Sequence, residues 1–149
     1  DVYSRLIHGT RPTVIGMRLP PFVSGIDWMD PVPGEAWIAH FAAATRGHAQ
    51  IRAILCGHLH RTIVTGWNGA PLIVCPSTAP SVALDLSPID PAHPDDRALV
   101  RDAPPGFALH WWDGAGLVSH FERVGGYEAV ARYDERLQQM IRGMLAERR

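Results

Sequence analysis

The residues of this sequence that are best suited to chemistry are two histidines, His58 and His60, in the segment Gly57–Arg61. They follow the apolar run Ile51–Cys56, which is typical of a buried strand. In extended backbone, residues two apart direct their side chains to the same side, so both imidazoles are expected to bind one metal ion or two neighbouring ions. A Gly-His-x-His tetrapeptide alone is a weak signal, and surface or hydrogen-bonded histidines are the more common alternative.

The elements that must position these histidines are predicted to be strands and helices in alternation. The apolar run of residues 12–17 predicts a short buried strand, and residues 35–46 predict a helix that ends at Gly47. Together with the strand at 51–56, this order indicates a crossover unit of an α/β fold. Residues 1–8 are also consistent with the end of a helix.

The second half of the sequence predicts hairpins and a final helix. Asn68-Gly69 supplies the turn of the first hairpin, and residues 113–116 the turn of the second. Residues 84–106, rich in proline and aspartate, are expected to form a long loop. Residues 127–148 predict a helix with one apolar face. The fold class is therefore α/β with α+β features.

Composition limits the possible functions. The 149 residues, 46% of them hydrophobic, suffice for one ordinary core, and the net charge of −1 with scattered basic residues argues against nucleic acid and membranes as partners. No apolar run reaches the ~18 residues of a membrane span and the first residues resemble no signal peptide, so a cytoplasmic location is expected. Cys56 and Cys75 lie in apolar runs, which predicts two buried, reduced thiols. Since Asp1 is not a start methionine, we expect the sequence to begin in mid-protein.

Residues 52–61, which include the two histidines, resemble the last metal-binding motif of the calcineurin-like metallophosphoesterases. Further segments, in the same order, are similar to the branch of that superfamily that contains cyclic-nucleotide and glycerophosphodiester phosphodiesterases. They are Pro20–Asp30, Cys75–Ala79, Val82–Leu86, Pro104–His110 and Leu117–His120. The resemblance extends from about Arg11 to Gly125, most of the chain.

The resemblance implies a fold, a cofactor and a substrate class. It implies that residues 1–125 are the C-terminal half of a four-layer α/β/β/α sandwich, followed by a C-terminal helix in residues 126–149. Such enzymes hold two divalent ions, iron, manganese, zinc or cobalt, which activate water for attack on a small-molecule phosphodiester. Carried over, His58 is a ligand of one ion and His60 of the other, and both are catalytic. Arg61 is either a phosphate-facing side chain or a solvated hairpin residue.

Three departures from the family pattern alter this expectation. The family's earlier Asp-x-His, Gly-Asp and Gly-Asn-His motifs are absent from these residues, and so is the aspartate that bridges the two ions. Arg18 stands where the branch has a histidine ligand, and a guanidinium cannot coordinate a cation. Pro80 stands where relatives often have histidine. We therefore expect one bound ion or none, with Arg18 either binding phosphate or carboxylate in the old site or marking a decayed site.

Two functions from different classes follow. In the first, a full-length enzyme hydrolyses phosphodiesters and this chain, nearly inactive alone, supplies His58 and His60. In the second, the chain is a non-catalytic, decayed domain that associates with itself, as a homo-oligomer, or with a partner through the helix at residues 127–148. Metal binding by His58 and His60 discriminates between them.

Overall fold

The structure of the protein is a computed structural model, and it describes residues 9–148. The helix end expected in residues 1–8 lies outside the described residues. The eight strands are β1 Thr13–Met17, β2 Ile51–Cys56, β3 Ile63–Trp67, β4 Ala70–Val74, β5 Ser81–Val82, β6 Val100–Arg101, β7 Gly106–Trp112 and β8 Leu117–Arg123. The helices are α1 Ala36–Thr45 and α2 Glu135–Ala146, and Asp27–Met29 forms a 3₁₀ turn.

The main sheet has four strands in the order β1-β2-β4-β3. Strands β1, β2 and β4 are parallel, whereas β3 pairs with β4 in antiparallel register. The predicted strand-helix-strand crossover is β1-α1-β2, and it is confirmed. The α/β class with a C-terminal helix is confirmed as well, and three parallel strands end at the same edge of the sheet.

The hydrophobic core lies on β2 and β4. Ile54, Leu72 and Val74 have no exposed surface, because these central strands are covered on both faces and consist of nearly continuous apolar residues. Leu59 is equally buried and belongs to the same core, although it lies in the loop after β2. The core thus fixes the residue that separates the two histidines.

The turn between β3 and β4 attaches α1 to the sheet. Asn68 and Gly69 have φ angles of 48° and 86°, as the predicted Asn-Gly turn requires. The Asn68 side-chain nitrogen donates to the hydroxyl of Thr45 at 2.8 Å, and the Trp67 indole donates to the same oxygen at 3.0 Å. Thr45, at the end of α1, is buried among these partners. The first predicted hairpin is therefore confirmed and also positions the helix.

The proline-rich segment contains more structure than the sequence predicted. Within the expected loop at 84–106, β6 pairs with β5 in antiparallel register. Arg97 orders the rest, since its guanidinium donates to the Asp95 carboxylate and, at 2.8 Å, to the Ser87 carbonyl. The second predicted hairpin is confirmed as β7 and β8.

The C-terminal helix is shorter than predicted. Residues 127–134 are not helical, and the predicted start at Tyr127 is wrong. The helix begins after Asp134 because the carboxylate of this residue accepts the backbone N–H of Leu137 at 3.1 Å, a side-chain cap that satisfies an otherwise unpaired donor. In the described part of the chain, no helix is both long and apolar enough to cross a membrane.

Candidate metal centre

The candidate site is at the carboxyl edge of the three parallel strands. Met17 pairs with Cys56 at the ends of β1 and β2, and just beyond them the Gly57 N–H donates to the Arg18 carbonyl at 3.2 Å. On the other side, the Cys75 N–H donates to the Cys56 carbonyl at 2.8 Å. This edge is where open α/β sheets bind their ligands. The strand ends thus bring together the backbone of Arg18, the histidine loop and the segment after β4.

His58 lies in a strained turn. Its φ is 73°, and the Leu59 N–H donates to the Gly57 carbonyl at 2.9 Å, which closes a classic γ-turn around His58. His60 also has a positive φ, 51°. The extended backbone assumed for the two histidines is therefore wrong. The chain turns because Leu59 must enter the core, and each such backbone conformation costs an L-residue about 1–2 kcal/mol.

The imidazole of His60 is oriented by a hydrogen bond to a backbone carbonyl. Its Nδ1 lies 2.9 Å from the carbonyl oxygen of Pro80. Because a carbonyl oxygen only accepts, Nδ1 carries the proton and Nε2 is the nitrogen left with a free lone pair. Histidine ligands in proteins usually have this second bond, which fixes the tautomer and the ring. In the sequence, Pro80 stands out only because relatives often have histidine at this position. Nothing in the sequence indicates that its backbone carbonyl orients the His60 ring.

The two histidines open into different cavities. His60 lines a cavity of about 410 Å³, named here the His60 cavity, together with Arg61, Ser77, Arg101 and other residues. His58 lines a second cavity of about 310 Å³, the His58 cavity, on the side of the loop that follows β1. The expectation that both side chains point to one place is not supported.

The described residues do not complete a metal site. Among residues 9–148, no three histidine, cysteine, aspartate or glutamate side chains are grouped so that they could hold an ion. Catalytic zinc sites, for comparison, have three protein ligands. The free imidazole nitrogen of His60 is a suitable ligand for a divalent ion, but the described residues supply too few further ligands to hold one. A metal ion would need further ligands from outside the described residues.

The nearby carboxylates are already engaged in structure. Asp30, which lines the His58 cavity, accepts the backbone N–H groups of Ser24 at 2.8 Å and of Gly25 at 2.9 Å. Glu35, in the same cavity, accepts the Val32 N–H at 2.9 Å. Both carboxylates therefore order loops.

The arginines near the site differ in whether their guanidinium has a partner. Arg61 donates to the Val82 carbonyl at 2.8 Å, so part of its guanidinium orders the loop before β5. Arg18 is exposed, and its guanidinium has no hydrogen bond or ion pair among residues 9–148. Arg101 and Arg123, which sequence analysis missed, line the His60 cavity without a carboxylate partner in the described chain. Only strand pairing brings them there, and no local pattern marks them.

The cysteines next to the site are protonated thiols at neutral pH. Both are free, as predicted, with Cys56 buried and Cys75 partly buried. Burial, with a smaller contribution from Cys75, raises the pKa of the Cys56 thiol to about 12, and burial also raises the pKa of Cys75. The Cys75 sulfur is 3.8 Å from Nε2 of His110. A thiolate is the reactive form of cysteine, so these raised pKa values do not favour nucleophilic catalysis.

No family model matches this sequence, but individual proteins are similar to it. It is 32% identical over 110 residues to a probable glycerophosphodiester phosphodiesterase GpdQ of Arcobacter nitrofigilis, covering 73% of this chain and 38% of that protein. It is 29% identical over 129 residues to the glycerophosphodiester phosphodiesterase GpdQ of Enterobacter lignolyticus, covering 87% and 44%. This chain is a homologue of these phosphodiesterases.

A third relative is the probable cyclic nucleotide phosphodiesterase of Synechococcus, 29% identical over 109 residues, with 73% of this chain and 41% of that protein covered. The three relatives confirm the resemblance to the cyclic-nucleotide and glycerophosphodiester branch of the calcineurin-like metallophosphoesterases. The chain spans less than half the length of these curated relatives. The domain bounds 1–125 and 126–149 stay a prediction.

Proposed function

We propose that this chain is part of a metal-dependent enzyme that hydrolyses small phosphodiesters, and that of its two candidate ligands, His58 and His60, it is His60 that holds the ion. The proposal is supported by the phosphodiesterase relatives and, in the structure, by one observation above all. That observation is the hydrogen bond from His60 Nδ1 to the Pro80 carbonyl, which leaves the lone pair of Nε2 on the same ring free to bind a metal ion.

His60 is the stronger ligand of the two. His58 has no hydrogen bond from either ring nitrogen within residues 9–148, so nothing orients its ring. It also follows Gly57, whose N–H is bonded to the backbone of Arg18, the residue at the position of the branch's histidine ligand. A guanidinium at a ligand position cannot coordinate a cation, so the ion that His58 would serve lacks one of its ligands. We therefore expect the protein to contain one metal ion, which is held by His60 and by ligands from outside the described residues.

The phosphate group is bound in the His60 cavity. Three arginines, Arg61, Arg101 and Arg123, line this cavity against a single acidic residue, Glu122, and Ser77 and Ser81 belong to the same lining. Guanidinium groups bind phosphate oxygens through charge-assisted hydrogen bonds. A bound divalent ion would polarise a phosphoryl oxygen and lower the pKa of a bound water. The chain's own contribution is to orient the His60 ring, bind the anion and neutralise its charge.

Metal content and hydrolysis of bis(p-nitrophenyl) phosphate test the proposal. Both are measured in manganese on this chain and on a version extended upstream through its reading frame. We expect the extended protein to bind metal and turn over, and His60→Ala to abolish both. His40→Ala, an exposed histidine on α1, is the matched control and should retain them. If the extended protein neither binds metal nor hydrolyses the diester, the proposal is wrong.

The role of Arg18 is tested separately. Arg18→His in the extended protein should raise metal affinity, because it removes a fixed positive charge and adds an imidazole ligand. Unchanged affinity would mean that Arg18 does not occupy a ligand position.

The alternative function is self-association, and the exposed apolar face of α2 favours it. Met140, Met144 and Leu145 are 53%, 47% and 53% exposed, although they lie on one side of a capped helix. A covered helix would normally bury such a face. Concentration-dependent light scattering measures the association directly.

A further inference from the structure

The charges that line the His60 cavity are not balanced. Arg61, Arg101 and Arg123 line it against one acidic residue, Glu122, and none of these arginines has an ion pair in the described part of the chain. The whole sequence has a net charge of −1, so the excess of positive charge is a local property of this cavity. A cleft lined by charges of one sign attracts ligands of the opposite sign.

Strand pairing indicates on which side the side chains of Arg101 and Arg123 lie. Residues directly opposite each other in an antiparallel pair have their side chains on the same face. Arg101 is opposite Ser81, which also lines the cavity. Arg123 is opposite Gly106, and a Cβ at Gly106 would lie 3.1 Å from the side chain of Pro76, another residue of the lining. Both arginines therefore leave their strands on the face that borders the cavity.

The acidic residue of the lining does not neutralise these arginines. Successive side chains of a strand point to opposite faces, so Glu122 leaves β8 on the face opposite Arg123. An oxygen of its carboxylate accepts the backbone N–H of Arg123 at 2.9 Å. Arg61 donates to the Val82 carbonyl, a neutral acceptor that leaves the charge of this guanidinium uncompensated. The cavity is therefore lined by three guanidinium side chains, none of which is bonded to a carboxylate of the described chain.

A simple phosphodiester does not match this charge. A diester phosphate group carries a single negative charge, whereas a phosphomonoester carries about −1.5 to −2 at pH 7. The volume of the cavity, about 410 Å³, also exceeds what a single phosphate group fills and is typical of pockets that hold drug-sized molecules. A ligand with two anionic groups matches both the charge and the size of the cavity.

We infer that the His60 cavity binds phosphodiesters that carry a phosphomonoester as a second anionic group. This inference rests on the proposed function and narrows its substrate class, with the diester and the second anion bound in the same cavity. Arg101 and Arg123 are the specificity-determining residues, because neither has a carboxylate partner in the described chain and each lies on a different strand.

The test compares two sugar phosphates that differ by one phosphate group, glucose 6-phosphate and glucose 1,6-bisphosphate. Their dissociation constants are measured by calorimetry on this chain at pH 8 with a chelator, so that neither metal nor hydrolysis is needed. We expect the bisphosphate to bind at least tenfold more tightly, since a factor of ten requires only about 1.4 kcal/mol and hydrogen bonds between charged groups supply this amount.

Arginine variants show whether the preference comes from the cavity. Arg101→Gln and Arg123→Gln should each remove most of the preference for the bisphosphate, because each removes one positive charge and keeps a polar side chain. Arg132→Gln, in the exposed segment before α2, is the matched control and should leave the preference unchanged. Equal affinities for the two sugar phosphates, or an equal preference in all three variants, overturn the inference.

Two diesters separate this inference from the proposed hydrolysis. Thymidine 5′-(p-nitrophenyl phosphate), with and without a phosphate on its 3′ oxygen, is supplied to the extended protein in manganese. We expect kcat/KM to be at least tenfold higher for the diester with the 3′-phosphate. Turnover of both diesters at equal kcat/KM supports the proposed hydrolysis and refutes the second anionic group. A preference for the bisphosphate without turnover of either diester supports the binding of two anionic groups and refutes the proposed hydrolysis.

Discussion

The strained turn at His58 predicts an unusual result: replacing this residue by glycine should make the protein more stable than replacing it by alanine. Both changes remove the imidazole, so the two variants differ only in the Cβ that alanine keeps and glycine lacks. At the φ of 73°, a side chain with a Cβ is disfavoured and glycine is not. Leu59, with no exposed surface, keeps the turn in place in both variants.

The magnitude follows from two opposing terms. A left-handed backbone costs an L-residue about 1–2 kcal/mol. Glycine recovers this amount but loses about 0.5–1 kcal/mol through its greater freedom in the unfolded chain. The free energy of unfolding should therefore be about 0.5–1 kcal/mol higher for His58→Gly than for His58→Ala. With a urea dependence of about 2 kcal/mol/M, the midpoint rises by roughly 0.3–0.5 M.

Urea unfolding of the metal-free protein, followed by far-ultraviolet circular dichroism, measures this difference. His60, with a φ of 51°, should show the same order, glycine above alanine. His120, on the extended strand β8, should show the reverse order because glycine weakens a strand interior. If glycine is less stable than alanine at position 58 as it is at position 120, the γ-turn reasoning is refuted.

Three further predictions concern charge, pH and association. Arg101→Ala and Arg123→Ala should each weaken inorganic phosphate binding by roughly 10- to 100-fold, since a hydrogen bond to a charged group contributes about 1.5–3 kcal/mol; calorimetry beside the exposed Arg132→Ala control checks this. The pKa of the Cys56 thiol is raised to about 12, so the fold prefers the protonated form; its contribution to stability is complete below the unfolded thiol's pKa of about 8.5 and is lost as pH rises towards 12. Between pH 8 and pH 10.5, the urea midpoint should therefore fall less in Cys56→Ala than in the unchanged protein, and equal falls in the two proteins would contradict this. Met144→Glu on α2 should shift any dimer towards monomer in light scattering, while Gln139→Glu, an exposed residue of the same helix, should not.

Sequence patterns predicted the elements well where the residue periodicity and the turn chemistry agreed. The buried run of β2, the Asn68-Gly69 turn and the β7–β8 hairpin were all confirmed. The C-terminal helix was predicted too long because the apolar spacing of residues 127–134 suits a helix face. Asp134 caps the chain only at its own position, and local periodicity does not reveal which of several polar residues becomes the cap.

The sequence by itself determined that two histidines follow a buried strand, that Arg18 stands where the branch it resembles has a histidine, and that the chain resembles metal-dependent phosphodiesterases. These are matters of residue type and order, so they can be read without coordinates. Only the tertiary structure decided how the histidines are presented. The burial of Leu59 turns the backbone, the Pro80 carbonyl selects the tautomer of His60, and the pairing of β5 with β6 places Arg101 in the cavity that Arg123 of β8 also lines. Each of these contacts joins residues far apart in the chain, and it forms only when packing of the core brings them together.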